Sequence, residues 1–330
     1  MMKKVLGMGN ALTDILLRID SDLVLEELNL PKGSMQLIDL QKLDEIRGKL
    51  NFESSVMATG GSASNTINGI TKLGTEAGFL GKVGRDEIGD FFQNDLVANG
   101  VYSLMGYSTN PSGNCTVLVS PDGERTLCTF LGAAAELDES DINESIFSGY
   151  DIFHIEGYLV QNHSLIRKAV QMAKKAGLMV SIDLASYNVV ESNHTFLLEM
   201  VKEYVDIVFA NEEEARAFTG MEPREALIQI ADHCLISVVK IGKKGSFVKS
   251  GEEIHTIEPF LATSIDTTGA GDLYAAGFLY GLANNLPLDV CGKIGSLVSS
   301  KVVEVLGAKM SQSVWNELKT QISVFVASNK

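Results

Sequence analysis

Hydrophobic and polar positions follow two different rhythms along the chain, and the second rhythm predicts the main architecture. From about residue 150 onward, short apolar runs of strand length alternate with longer segments whose apolar residues have helical spacing. Strands are predicted at 151–154, 178–183, 206–210 and 236–241, and helices at 164–176, 194–204 and 212–219. This alternation is typical of a parallel, doubly wound α/β sheet flanked by helices.

The first part of the chain departs from that rhythm. Its strand-like runs are short and are not joined by regular crossover helices; they lie at 15–19, 34–38, 115–120 and 125–130. The last two flank a Pro-Asp-Gly-Glu run, and Asp-Gly between two β-rich runs indicates a hairpin. Because no linker, repeat or low-complexity segment divides the chain, we expect one α/β core with an accessory β-sheet.

Composition and charge restrict the partners. The 330 residues are 45% hydrophobic and 21% charged, which is ordinary for a globular protein with a large core. The formal net charge of −15 argues against a nucleic-acid partner and against an anionic membrane surface. A phosphate site would therefore have to be built locally, from backbone amides, a few cations or a metal ion.

The chain start and the cysteines indicate a compartment. Residues 1–7 include two lysines but no long apolar core, so they are interpreted as leading into a first strand rather than as a signal peptide. No apolar run approaches the ~20 residues of a membrane span. The cysteines are scattered without a C-x-x-C pair, which favours free thiols in a reducing compartment. We expect a soluble, cytoplasmic protein.

The run Ile265-Asp-Thr-Thr-Gly-Ala-Gly-Asp272 carries the most specific chemistry. Gly269 and Gly271 flank Ala270, so backbone amides can approach a ligand closely. An apolar run of helical length follows, and the start of a helix favours an anion. Asp272 lies in the first turn beside that anion site, where it can take a proton from a hydroxyl during phosphoryl transfer. The alternative is that Asp272 only stabilises the start of the helix.

Other polar segments follow predicted strands, where open α/β sheets bind ligands. Asn10 and Asp14 follow the first strand, and Asp14 is either a turn residue or an acceptor for a ligand hydroxyl. Gly60 and Gly61 precede a predicted helix, so they allow close approach of a ligand or simply form a turn. The Gly7-x-Gly9 pair lacks the third glycine of a dinucleotide fingerprint, so nicotinamide binding is rejected.

Two further motifs have both a functional and a structural interpretation. Asn211-x-x-Glu214 is either an N-cap with an acidic first turn or part of a magnesium and phosphate site. The run Lys240-Ile-Gly242-Lys-Lys-Gly245 is either a hairpin connection or a nucleotide-binding turn. A Walker A motif is absent from the sequence, and the five histidines have no metal-ligand spacing.

These motifs resemble those of the pfkB-type (ribokinase-like) carbohydrate kinases. The resemblance rests on the Asp-Thr-Thr-Gly-Ala-Gly-Asp run, on Gly60-Gly61 with Asn65 in a helix that ends in Leu-Gly, and on a following Gly-x-Val-Gly-x-Asp-x-x-Gly run at 81–89. It implies a single ribokinase-like domain over residues 1–330. This domain would be a doubly wound, mostly parallel sheet flanked by helices, with a β-sheet lid built from about 12–50 and 104–131.

The implied reaction transfers the γ-phosphate of ATP, with Mg²⁺, to a primary alcohol of a furanose sugar or a nucleoside. The resemblance makes Asp272 the catalytic base and Gly269, Ala270 and Gly271 the anion hole. The remaining residues that it places at the nucleotide and the metal are Asn211, Lys240, Gly242 and Gly245 for the nucleotide, and Glu214 for Mg²⁺ through water.

Among these kinases, the adenosine kinases are the subgroup that the chain resembles most. Gly9-Asn10-Ala-Leu-Thr-Asp14 is similar to their ribose-binding segment, and 124–127, Glu-Arg-Thr-Leu, is similar to another of their segments. The residues that this implies at the acceptor are Asn10, Asp14, Gly60, Gly61, Ser62 and Asn65, with Tyr158 as the aromatic that would stack on a purine. An adenosine kinase would act in purine salvage. A sugar kinase for ribose or fructose, and a catalytically silent nucleotide-binding regulatory protein, remain alternatives.

Two more expectations come from the resemblance. Some family members bind a monovalent cation such as K⁺ near the anion hole, and Asp266, Thr268, Gly307 and Ser311 fall where its ligands would come. Asp266 and Ser311 are equally compatible with satisfied turns. Lid strands in this family sometimes pair between subunits, so a homodimer through the lid is an alternative to a monomer.

Overall fold

The structure is a computed structural model that describes residues 2–328. Its strands, numbered in chain order, are β1 (Val5–Met8), β2 (Leu12–Arg18), β3 (Met35–Leu37), β4 (Val56–Thr59), β5 (Ala77–Gly84), β6 (Tyr102–Ser108), β7 (Gly113–Val119), β8 (Arg125–Phe130), β9 (Ile152–Glu156), β10 (Met179–Asp183), β11 (Ile207–Asn211), β12 (Ile236–Lys240), β13 (Ser246–Ser250) and β14 (Glu253–Ile257).

The helices flank these strands. They are α1 (Leu23–Glu27), α2 (Leu40–Lys49), α3 (Ser62–Leu73), α4 (Glu87–Ala98), α5 (His163–Lys175), α6 (Tyr187–Glu203), α7 (Glu212–Thr219), α8 (Pro223–Ala231), α9 (Ala270–Ala283), α10 (Leu288–Val302) and α11 (Gln312–Ser328). None of those that the structure describes is long and apolar enough to cross a membrane.

The strands of residues 2–328 form a large sheet and a small sheet. The large sheet has the order β14-β13-β12-β11-β10-β9-β1-β5-β6, and its strands pair in parallel except at the β12-β13 and β13-β14 hairpins. One apolar cluster covers each face: α5–α8 pack on one, and α3, α9, α10 and α11 on the other. The predicted doubly wound α/β core is confirmed.

The small sheet has the order β3-β8-β7-β2-β4. Its outer face is closed by a separate apolar cluster in which Leu17, Leu118 and Cys128 pack under α1 and α2. Its inner face carries Asp14, whose direct neighbours across the sheet are Ala58 on β4 and Cys115 on β7. The accessory sheet predicted from the sequence is therefore present, and it presents one face to the rest of the protein.

The bounds of the lid differ from the prediction at two places. The second lid segment was predicted from about residue 104, but 104–108 belong to strand β6, which pairs in parallel with β5 at the edge of the large sheet. This lid segment therefore begins after β6. Strand β4 was not predicted, and it pairs with β2 at the edge of the small sheet. Both differences concern edge strands, whose half-exposed sequences have weak periodicity.

Helix α6 begins earlier than the predicted helix at 194–204. Ser186 caps it, because its side chain accepts a hydrogen bond from the Val189 amide at 3.4 Å. Asn193 has non-helical backbone angles and kinks the helix. The predicted segment corresponds to the part after this kink, where the apolar spacing restarts.

Candidate active site

The turn before α9 forms the centre of the site. Gly269 caps the helix with φ of 77°, a left-handed conformation that glycine adopts at little cost. The Ala270 amide donates to the Thr267 carbonyl at 3.1 Å, which closes this turn. The amides of Gly271 and Asp272 have no hydrogen-bond partner among residues 2–328. Gly271 and Asp272 therefore present free backbone amides at the start of α9, whereas the amide of Ala270 is engaged.

The carboxylate of Asp272 is held from the first turn of α3. Its Oδ1 accepts from the Ser62 hydroxyl at 2.8 Å, and its Oδ2 accepts from the Asn65 amide nitrogen at 2.9 Å. Burial raises the pKa of Asp272 to about 6, although these two hydrogen bonds oppose the shift. A base with this pKa is largely ionised at neutral pH and can still accept a proton from a hydroxyl.

A buried ammonium group lies beside this turn. The Lys240 Nζ donates to Asp183 Oδ2 at 2.7 Å, and a Cβ placed on Gly271 would lie 3.1 Å from the same nitrogen. Burial alone would lower the pKa of Lys240, but Asp183, Glu214 and Asp272 outweigh burial and raise the pKa. The ammonium therefore stays charged, and it stands next to the free amides at the start of α9.

Asn10 follows β1 of the large sheet, and Asp14 lies on β2 of the small sheet. Glu156, at the end of β9, accepts from the Asn10 amide group at 2.7 Å and from the Ala63 backbone amide at 3.1 Å. Burial raises the pKa of Glu156 to about 7. A Cβ on Gly60 would lie 2.5 Å from Asp14 Oδ1, so the glycine leaves the space that this carboxylate occupies.

Two positively charged side chains influence the Asp14 carboxylate. Burial raises the pKa of Asp14 to about 6, and the charges of Lys309 and Arg125 oppose this shift. Lys309 is itself tied to the small sheet through a hydrogen bond to the Thr59 hydroxyl. Sequence analysis did not single out Lys309, because this residue lies after α10 and comes close to the small sheet only in the folded protein.

The Asn211 and Glu214 pair forms a reciprocal cap on α7. Asn211 Oδ1 accepts from the Glu214 amide at 2.9 Å, while Glu214 accepts from the Asn211 backbone amide at 2.8 Å and from its side chain at 2.7 Å. The N-cap interpretation is confirmed. Burial and the neighbouring Asp183 raise the pKa of Glu214.

This pair also fits an outer-sphere role toward Mg²⁺. Each Glu214 oxygen accepts one hydrogen bond from Asn211 and keeps a further lone pair. Among residues 2–328 no group of three or more acidic, histidine or cysteine side chains converges on a metal position. A magnesium ion that arrives with ATP and keeps most of its waters is compatible with that arrangement.

The turn at 242–245 has a structural requirement of its own. Gly245 has φ of 96°, and a Cβ there would collide with the Ile257 carbonyl, so the glycine is required by the turn itself.

The Tyr158 hydroxyl donates to the Ala185 carbonyl at 3.4 Å. Burial raises the pKa of Tyr158 to about 12, and the next contributions come from Glu156 and Asp272. Glu156 and Asp272 therefore lie near enough to this hydroxyl to influence its pKa.

The residues predicted for a monovalent cation surround an arginine. Asp266 forms an ion pair with Arg125 of β8, and it also accepts from the amides of Thr268 at 2.9 Å and Gly307 at 2.7 Å. The Ser311 hydroxyl instead contacts that of Ser313 at 2.8 Å at the start of α11. Arg125, Thr268 and Gly307 together donate four hydrogen bonds to the Asp266 carboxylate, so this carboxylate does not fit as a ligand of a metal ion.

Comparison with known proteins identifies the family. The family model described as pfkB family carbohydrate kinase matches residues 29–315, so the chain belongs to that family. A 5-dehydro-2-deoxygluconokinase from Geobacillus thermodenitrificans is 31% identical over 269 residues, which cover 74% of this chain and 78% of the relative. The fold is accordingly ribokinase-like, and the protein is a phosphotransferase with an alcohol acceptor.

Solved structures extend the comparison. A probable sugar kinase from Rhizobium etli superposes with a TM-score of 0.86 at 32% identity, covering 98% of this chain and all (100%) of that one. The adenosine kinase from Sinorhizobium meliloti superposes with a TM-score of 0.85 at 34% identity, covering 97% of this chain and 100% of its own. These relatives include both sugar and nucleoside kinases, so the family alone leaves the acceptor open.

Proposed function

We propose that this protein is an ATP-dependent nucleoside kinase that phosphorylates the primary 5′ hydroxyl, with adenosine as the preferred acceptor. One observation carries the choice of a nucleoside: the inner face of the small sheet is apolar immediately beyond Asp14. A free sugar presents hydroxyls on every side, whereas a nucleoside presents a ribose and a flat, weakly polar base. The nucleobase therefore needs an apolar surface beside the group that binds the ribose, at the next position along the same face of the strand.

The apolar surface follows from the strand register. Leu16 lies two residues beyond Asp14 on the same face of β2. Its row continues across the sheet, and the members of this row are Val56, Leu16, Val117, Leu127 and Met35. Val56 and Met35, at its two ends, are 64% and 61% exposed. Exposed apolar side chains in a concave site support binding of an aromatic base.

The catalytic step uses the groups around the start of α9. The acceptor hydroxyl loses its proton to the Asp272 carboxylate as its oxygen forms a bond to the γ-phosphorus of ATP and the bond to ADP breaks. The free amides of Gly271 and Asp272 and the ammonium of Lys240 offset charge on the transferred group. A magnesium ion bound with ATP would further neutralise the phosphates, with Glu214 and Asn211 holding its waters.

The acceptor ribose would be held from the other side. Asp14 accepts hydrogen bonds from ribose hydroxyls, and Asn10, oriented by Glu156, adds a polar contact. Ser62 and Asn65 act through Asp272, because their hydrogen bonds run to its carboxylate. Gly60 and Gly61 keep the backbone close to the sugar, and Tyr158 closes the site on the side of the carboxylates.

A sugar kinase is the second candidate, because the Geobacillus thermodenitrificans relative is a 5-dehydro-2-deoxygluconokinase. ADP release with Mg-ATP should be measured with adenosine, guanosine, inosine, ribose, fructose and no acceptor. Turnover confined to nucleosides, and fastest with adenosine, is the expected result. Turnover on a free sugar alone would reassign the acceptor, and ATP binding without turnover on any acceptor would favour a silent regulatory protein.

A further inference from the structure

We propose that the guanidinium of Arg125 takes the place of the monovalent metal ion that the family resemblance predicts near Asp266. This protein therefore needs no K⁺ at that position. Arg125 lies on β8 of the small sheet, 141 residues away in sequence from its partner Asp266. This position involves Arg125, Asp266, Thr268 and Gly307, whichever acceptor the enzyme uses.

The hydrogen bonds of Asp266 leave no room for a metal ion. Its Oδ2 accepts from Arg125 Nη1 and from the Gly307 amide at 2.7 Å. Its Oδ1 accepts from the Thr268 amide at 2.9 Å and from the Thr268 hydroxyl at 2.7 Å. A carboxylate offers about four lone-pair positions, and four donors take them.

The other predicted ligands also make hydrogen bonds of their own. Gly307 directs its amide N–H toward the Asp266 carboxylate and so takes one of its lone pairs. The Thr268 hydroxyl donates to Asp266 and accepts from Arg125 Nη1 at 3.3 Å. Ser311 is engaged at the start of α11, where its hydroxyl accepts from the Val314 amide at 3.4 Å. The side chains of Asp266, Thr268 and Ser311 are therefore all engaged, and Asp266, the one carboxylate among the predicted four, has no lone pair left for a metal ion.

Charge and burial agree with this assignment. The side chains of Arg125 and Asp266 are only 15% and 11% exposed, so each needs a partner of opposite charge. A potassium ion added beside the guanidinium would meet a like charge at close range.

The arrangement makes Arg125 a positioning residue. Asp266 lies three residues before Gly269, which caps α9, and Arg125 is anchored in the small sheet. The ion pair therefore ties the small sheet to the segment that leads into the free amides of the site. A free metal ion could order the same segment, but it could not join it to the small sheet.

The test is thermal unfolding of the substrate-free protein in KCl, NaCl and N-methylglucamine chloride at equal ionic strength. The wild type is expected to show the same Tm in all three salts. Arg125→Ala removes the guanidinium and frees Asp266, so its Tm should rise by about 1–3 °C in 100 mM KCl relative to NaCl. Arg125→Lys, which keeps the charge, should gain no response to K⁺.

Two controls define the site. Arg18→Ala removes an exposed arginine from β2 of the same sheet and should gain no response to K⁺. Asp266→Asn combined with Arg125→Ala should lose the gained response. A K⁺-specific rise in the Tm of the wild type would overturn the proposal without any variant, and so would an Arg125→Ala protein whose Tm is the same in KCl and NaCl. Because no acceptor is present, neither result reports on the proposed function.

Discussion

Replacing Asp272 by asparagine should separate catalysis from stability. The variant keeps the size of the side chain but removes the negative charge. The Asn65 Oδ1 atom is buried without a hydrogen-bond partner in the described structure. Asn65 can therefore rotate its amide and offer this oxygen to the new amide nitrogen, while Ser62 continues to donate to the remaining oxygen. We expect the variant to fold as the wild type does.

The magnitude follows from the pKa of the carboxyl group. Its rise from 3.8 to about 6 means that the folded protein disfavours the ionised form by about 3 kcal/mol, at 1.36 kcal/mol per unit. Removing the charge should therefore raise the Tm at pH 8 by about 2–5 °C. Loss of a general base typically lowers turnover ~10²–10⁴-fold, and kcat should fall by that amount.

Calorimetry and a coupled ADP assay measure the two effects on the same preparation. Asp289→Asn is the matched control, since Asp289 also lies in the first turn of an apolar helix and should leave kcat unchanged. Affinity for ATP should change little in either variant. Turnover by Asp272→Asn within about tenfold of the wild type would refute the assignment of the base. A lower Tm would refute the reasoning about the buried charge.

Three further outcomes follow from the structure. The value of kcat/KM should fall as the pH drops through about 6, because Asp272 then becomes protonated; a flat profile between pH 5 and 8 would contradict this. Since burial raises the pKa of Glu156 from 4.5 to about 7, the folded state binds its proton more tightly, and stability falls as the pH rises through that window. Glu156→Gln should flatten the dependence of Tm on pH between 5 and 8, and an unchanged slope would assign it to other groups. Leu127→Ser should raise KM for adenosine about 10-fold, as expected for the loss of one buried apolar contact. Met57→Ser, on the opposite face of the small sheet, should leave KM unchanged. Equal effects of the two substitutions would show that the adenine ring binds elsewhere.

The sequence predicted the fold class and the family because both depend on local patterns. The alternation of strands and helices after residue 150 is strong, and the run that ends in Asp272 is specific. The site segments at 10–14 and 211–214 were expected at strand ends. Asn10 follows β1 and Asn211 ends β11 as expected, but Asp14 lies within β2 of the small sheet. Edge strands were predicted less well, as the placement of β6 and the missed β4 show.

Contacts between distant residues could not be predicted from the sequence. Ser62 and Asn65 were assigned to the ribose, but 210 and 207 residues separate them from Asp272, to which they donate. Arg125 was noted only as part of a family segment, and its pairing with Asp266 requires the small sheet to lie beside α9. The periodicity of apolar residues predicts which face of a helix or strand is buried. It does not predict which side chains of distant segments contact that face.

Analysis of the product by NMR tests the proposed reaction most directly. The protein is incubated with adenosine and Mg-ATP, and the ³¹P signal of the product is recorded with its coupling to neighbouring protons. A phosphomonoester coupled to the two protons of the 5′ carbon is the expected result. Coupling to a single ribose proton would place the phosphate on a secondary hydroxyl, and release of ADP and free phosphate without a phosphorylated nucleoside would contradict the proposed acceptor.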